Sequence, residues 1–258
     1  MYAAISADIV SSTSLSRESM IELNEKLREC LRMLEGRYQG FWGRIVRGDS
    51  VECVMNCPAD AFEVALILKT WVKSFEPDDT QSSKRFIRYG MRIAIGIGDM
   101  KTIDRELDMM DGDAIYRSGR TLDKLVGRAK YSFSISMEEN ALGPEYPDPA
   151  TAYNNFGNVY DDNDSYGKAQ EQHMKAVAIS ETLEQALQVI FTLVNQLLNN
   201  ATPRKCETLC TRILTADSSK TAEKMGISVS GVNQTLKELG WSAIEQAIAY
   251  YRKITSNL

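Results

Sequence analysis

The chain has 258 residues, 43% of them apolar and 25% charged, with a formal charge of −5. That length and balance suit one large domain or two modest ones with proper cores, and they argue against a disordered chain. No apolar run approaches the ~18 residues of a membrane span, and the negative net charge speaks against blanket coating of nucleic acid.

The charge is uneven. From Pro203 onward eight Lys/Arg stand against five Asp/Glu, a net of +3, which leaves −8 on residues 1–202. A weakly basic tail on an acidic body is compatible with DNA contact through a small module. The opening Met1–Asp8 lacks a basic stretch and is broken by Asp8, so it reads as a first strand and not as a signal peptide. Five cysteines (Cys30, Cys53, Cys57, Cys206, Cys210) are an odd number at irregular spacing. They point to free thiols in a reducing, cytoplasmic setting. Cys206 and Cys210 stand four apart, but the single histidine, His173, is distant, so buried small side chains explain them better than zinc.

In chain order, residues 2–10 read as a mostly buried strand, and Ser11–Ser14 as a turn with capping hydroxyls. Met20, Leu23, Leu27, Leu31 and Leu34 recur every three or four residues and predict a helix over 15–34. A hairpin follows over 43–56, turning at Gly48-Asp49. Pro58 opens a second helix with Phe62, Val64, Ala65, Leu68 and Trp71 as apolar positions. Alternation predicts a strand over 89–98, a third helix fits 114–127, and 131–136 is the last strand. The order β-α-β-β-α-β-α-β predicts an α+β layer, a sheet with helices on one side. Three prolines in an acidic stretch at 137–150 mark a boundary, after which the chain reads as all helical. The expected division is 1–140, then 141–200, then 201–258.

Asp8 ends a strand and Asp49 sits in a hairpin turn. If those strands are neighbours, both carboxylates reach one edge of the sheet, where they either cap turns or hold Mg²⁺ or Mn²⁺. Ser11, Ser12 and Thr13, before a helix, offer backbone N–H groups for phosphate. Asp8-Ile-Val-Ser-Ser-Thr13 followed by Gly48-Asp49 resembles the metal-binding pair of class III nucleotide cyclases. Arg92-Ile-Ala-Ile-Gly-Ile-Gly98 is similar to that family's central strand. Gly112-Asp-Ala-Ile-Tyr-Arg-Ser-Gly-Arg-Thr-Leu122 is similar to its last catalytic stretch. The resemblance covers residues 1 to about 136 and implies a ferredoxin-like, cyclase-like sheet. It also implies a bound nucleotide, metal at Asp8 and Asp49, and a transition-state arginine at Arg120. The family's asparagine falls on Tyr116, its base-reading lysine near Ile45, and the base's polar partner on Met109, so base selection is lost.

Between the ends, Tyr153, Phe156, Gly157, Tyr160, Ala169 and Ala176 occupy the packing positions of one tetratricopeptide-like hairpin. Leu183, Leu187, Ile190, Val194 and Leu198 form the stripe of a long amphipathic helix able to pair with a copy of itself. Ser218–Leu239 carries a helix-turn-helix pattern. Ala222 allows close packing, Gly226 takes the turn, Ser228 caps the second helix, and Val232 and Leu236 fill the core. That arrangement exposes Ser230, Asn233, Gln234 and Lys237 to DNA. A degenerate cyclase-like front joined to this tail resembles the SatD-like bacterial proteins, which implies a regulator. Three functions follow as alternatives. They are a homodimeric DNA-binding regulator with a nucleotide-sensing front, a metal-dependent nucleotide cyclase, and an adaptor that holds a protein through the hairpin.

Overall fold

The alternation of Tyr2–Val10 assigns the two faces of the sheet. This segment is strand β1 in the computed structural model, which describes residues 1–10, 12–76, 90–125, 133–137, 166–256 and 258, with side chains of 14 and 166–182 left aside. It pairs antiparallel on one side with β3 (Ser50–Met55), whose other neighbour is β2 (Trp42–Val46). On its other side it pairs antiparallel with β4 (Gly90–Gly98), which runs parallel to the edge strand β7 (Phe133–Met137). The result is a mixed five-stranded sheet in the order β2-β3-β1-β4-β7.

Helix α1 (Arg17–Arg37) starts where the Ser16 side chain accepts the Ser19 N–H at 3.1 Å. Leu23, Leu27, Leu31 and Leu34 are buried along it, as their spacing predicts. Helix α2 (Ala61–Lys73) is buried on nearly every side, with Trp71 its most exposed residue. Both helices share a core with Ala3, Ile5, Ala7 and Ile9 of β1 and with Ile93, Ile95 and Ile97 of β4.

The expectation of helices on one side is corrected by α3 (Asp113–Leu125), which packs on the opposite face. There Ala114 and Ile115 meet Ala4, Trp42 and Val54 in a separate cluster, and the hydroxyls of Ser6 and Ser118 are 2.8 Å apart. Gly96 makes this approach possible, because a Cβ there would run into the Ala114 carbonyl and the Ser118 amide. A small hairpin of β5 (Met100–Asp104) and β6 (Met109–Gly112) adds a second, two-stranded sheet. It is absent from the sequence-based order of elements. The Asp104 side chain closes its turn by accepting the Glu106 and Leu107 N–H groups, both at 2.9 Å.

From 166 onward the described residues form α4 (Tyr166–Asn199), α5 (Pro203–Thr215), α6 (Ser218–Met225), α7 (Val229–Glu238) and α8 (Trp241–Thr255). Among the described residues the fold is therefore α+β, with eight α-helices and no helix long and apolar enough to cross a membrane. The first arm of the tetratricopeptide-like hairpin lies outside the described residues, and its second arm falls within α4.

One hydrophobic cluster runs from β1 through α2 into α4, α5, α7 and α8. Its centre is aromatic. Phe62 of α2 stacks on Phe191 of α4 with centroids 4.4 Å apart, and Phe133 and Tyr251 close around them at 5.6–6.0 Å. Cys30, Cys53, Cys206 and Cys210 are buried and Cys57 is exposed; burial pushes the Cys210 thiol up to about 12. Two lysines of α2 are also buried. Lys69 donates to the Met91 carbonyl at 2.7 Å, with its ammonium 4.8 Å from the Phe133 ring, and Lys73 donates to the Leu198 carbonyl. Burial, with Lys73 nearby, holds the Lys69 amine well below the usual lysine value.

At β7, α4 binds the sheet edge with side chains in place of a strand. Gln188 donates to the Phe133 carbonyl at 3.0 Å and accepts from the Ser134 hydroxyl at 2.7 Å and the Ile135 N–H at 3.4 Å. Glu184 accepts the Met137 N–H at 3.0 Å.

Candidate functional site

The first candidate site lies at the end of β1. Asp8 stands opposite Ser50 of β3 and Arg92 of β4, so Asp8 and Asp49 do reach the same edge. The turn between β2 and β3 positions Asp49. Arg47 and Gly48 both take left-handed backbone angles, φ 56° and 81°, and the Asp49 carbonyl accepts the Ile9 N–H at 2.9 Å. Asn24 of α1 clamps the same turn by donating to the Gly48 carbonyl at 2.9 Å.

Both carboxylates already have protein partners. Arg92 grips Asp8 with two hydrogen bonds, Nε to Oδ1 at 2.9 Å and a terminal nitrogen to Oδ2. Each side chain of this pair is about one-fifth exposed. Asp49 accepts the Ser12 hydroxyl at Oδ2 (2.8 Å) and the Ser50 hydroxyl at Oδ1 (3.5 Å). Among the described residues no three His, Cys, Asp or Glu side chains gather in one place. As held here, the edge does not fit a divalent cation, because a guanidinium occupies one of its two carboxylates.

Ser12 is buried by that hydrogen bond, Thr13 is exposed, and Ser11 lies outside the described residues. Arg120 is exposed on α3, beyond Tyr116, whose hydroxyl donates to Asp111. Of the positions where base-reading residues were expected, Met109 is 45% exposed and Ile45 is half-buried on β2; Tyr116, at the position of the family's asparagine, is 46% exposed. Arg92 and Asn24 were not singled out from the sequence. Arg92 is recognisable only once the β1–β4 register sets it opposite Asp8.

The second candidate site is the surface of α7. Asp217 caps α6 by accepting the Lys220 N–H at 2.7 Å, and Gly226 ends it with φ 64°, in the left-handed region. Ser228 then caps α7, accepting the Gly231 N–H at 3.1 Å. Ala222, Val232, Leu236 and Leu239 are buried between the helices. Ser230, Asn233, Gln234 and Lys237 all lie on the exposed side of α7. The apolar Ile227 and Val229 are exposed at its start, at 37% and 42%. Gln234 donates to Glu238 at 2.9 Å, and Glu238 pairs with Lys205 of α5 at 2.7 Å. Those two hydrogen bonds, Lys205's first, hold the Glu238 carboxyl below its ordinary range.

Compared with known protein families the chain matches none, and no curated protein matches it either.

Proposed function

We propose that this chain is a DNA-binding regulator that reads its site with α7, as the second helix of a helix-turn-helix. The observation that carries the reading is the surface of α7. Its apolar residues Val232 and Leu236, with Leu239 just after it, turn inward, while four side chains suited to base edges and phosphates turn outward together. The left-handed turn at Gly226 and the caps at Asp217 and Ser228 are the local chemistry such a turn needs. Ile227 and Val229 add apolar surface for a thymine methyl. Two copies reading paired half-sites form the working unit.

The sheet supports a degenerate cyclase-like front. The elements β1-α1-β2-β3-α2-β4, with strands in the order β2-β3-β1-β4 and both helices on one face, support a ferredoxin-like reading of that front. The cyclase reading itself rests on Asp8 and Asp49 sharing an edge, and the Arg92 grip on Asp8 makes it the second choice. In the regulator reading that front senses a nucleotide or serves as scaffold.

Fluorescence anisotropy against a genomic fragment library tests the proposal. Affinity should fall linearly in log–log with salt, and Lys237→Ala should flatten the slope by about one. Equal binding to every fragment refutes a specific regulator.

A further inference from the structure

The outward side of α4 takes no part in either site. From Gln185 to Pro203 the chain holds nineteen consecutive residues without a charge, in a protein that is 25% charged. Leu187, Phe191, Val194 and Leu198 of this stretch turn into the core. Helical rotation then sets Val189, Leu193 and Leu197, each four residues from the next, in one row on the outside, at 60%, 61% and 37% exposure. Half-buried Ala186 and Ile190 border the row, so apolar positions recur at 186, 190, 193 and 197, the three- and four-residue spacing of a helix-pair seam. The other exposed positions here are Gln185, Thr192, Gln196 and Asn200, all neutral. Helix α1 shows the ordinary alternative, with Arg28, Glu29, Arg32 and Glu35 on its outer side.

A face of this kind suits a second copy of the same chain. In a two-fold contact each residue meets itself or a close neighbour from the same stripe, so any charge would oppose its like. A partner of different sequence is selected by complementary charge, and this row presents none. Residues 1–202 carry a net −8, so copies repel one another over most of that surface and least at this neutral row. Position adds a second reason. Leu197 lies against Gly240, in the turn between α7 and α8, where an added Cβ would stand 3.2 Å from its Cδ1. The row therefore ends beside the helix-turn-helix, where a contact between copies sets the separation of their two α7 helices.

We propose that α4 is the dimer contact: Val189, Leu193 and Leu197 of one copy pack on the same three residues of a second copy, with Leu193 at the two-fold axis. The row is about 12 Å long at 1.5 Å per residue. It offers far fewer residues than the roughly 20–30 a side of a standard interface, so free copies associate weakly and paired DNA half-sites complete the pairing. The contact supplies the two-copy unit of the DNA reading and in that sense rests on it. It is measured without DNA, so the two can fail separately.

The test is sedimentation velocity of the full chain from about 1 μM to about 1 mM, the range of a weak association. The average mass should climb from monomer toward dimer. Leu193→Glu sets two carboxylates face to face and should weaken association by about tenfold or more, with the melting temperature of the monomer unchanged because the site is exposed. In a Cys57→Ser background, which removes the exposed thiol, Leu193→Cys should yield a disulfide-linked dimer on oxidation, since that bond needs Cα atoms within about 7 Å. Ile21→Cys, at an exposed apolar position of α1, is the control that should not. A chain still monomeric at about 1 mM overturns the proposal. So does a dimer that Leu193→Glu leaves unchanged, or cross-linking no faster at 193 than at 21. A monomer that Leu193→Glu destabilises identifies a segment of the same chain as the occupant, and that too overturns it.

Discussion

Truncating Phe191 to alanine tests whether sheet and C-terminal helices form one cooperative unit. Phe191 is fully buried, stacked on Phe62 and edged by Phe133 and Tyr251, so it joins α4 to α2, β7 and α8 at a single point. A buried Phe→Ala change costs about 3–5 kcal/mol. A stacked aromatic pair is worth about 0.5–1.5 kcal/mol beyond its area, which places this site near 4–5 kcal/mol. Against a total stability of about 5–15 kcal/mol that is a large fraction. At about 2–4 °C per kcal/mol for a chain near this size, the melting temperature should fall by about 8–20 °C. The three tryptophans make the assay local, since Trp42 lies in β2, Trp71 in α2 and Trp241 at the start of α8. Variants keeping only Trp42 or only Trp241 would be unfolded in urea, with and without the substitution. Both reporters should move together to lower denaturant. A Trp241 transition that stays in place while Trp42 shifts would refute the single-core argument, as would a loss below about 1.5 kcal/mol.

Two further outcomes follow from buried polar groups. The Tyr251 hydroxyl is buried without a hydrogen-bond partner, so Tyr251→Phe should keep the aromatic packing and stabilise the protein by about 1–2 kcal/mol, read as a shift in the urea midpoint. Lys69 has a folded-state pKa lowered from 10.5, chiefly by burial. Between that lowered value and 10.5 the unfolded chain binds the extra proton, so its contribution makes stability rise with pH across this window. Lys69→Met should flatten that rise; an unchanged slope in alkaline denaturation curves would refute the assignment.

Much of this was legible in the residues themselves. The stripe Leu23, Leu27, Leu31 and Leu34 and the turn Ala222–Gly226–Ser228 encode their own structure locally, through helical spacing, a left-handed glycine and a cap. Leu187, Val194 and Leu198 of α4 were also recognisable as apolar, but they pack into the chain's own core, not against a copy. Val189 and Leu193 are left exposed instead, at 60% and 61%. What could not be read was set by tertiary contacts. The face that α3 covers depends on Gly96 leaving room for the Ala114 turn, and no periodicity in α3 encodes that choice. The β5–β6 hairpin is short and rich in charge, so its alternation is weak; its turn is closed by the side chain of Asp104. Arg92 looked like one residue of an alternating strand, and only the strand register makes it the partner of Asp8.

The way α4 closes the edge of β7 has a consequence for how this protein meets others of its kind. An uncovered outermost strand is a template on which a further chain can continue the sheet, and so a starting point for fibrous aggregation. With the Phe133 carbonyl and the Ile135 and Met137 N–H groups already taken by Gln188 and Glu184, an incoming strand finds no free ladder there. Copies that associate on this side must do so through helices, so the sheet is not continued past β7.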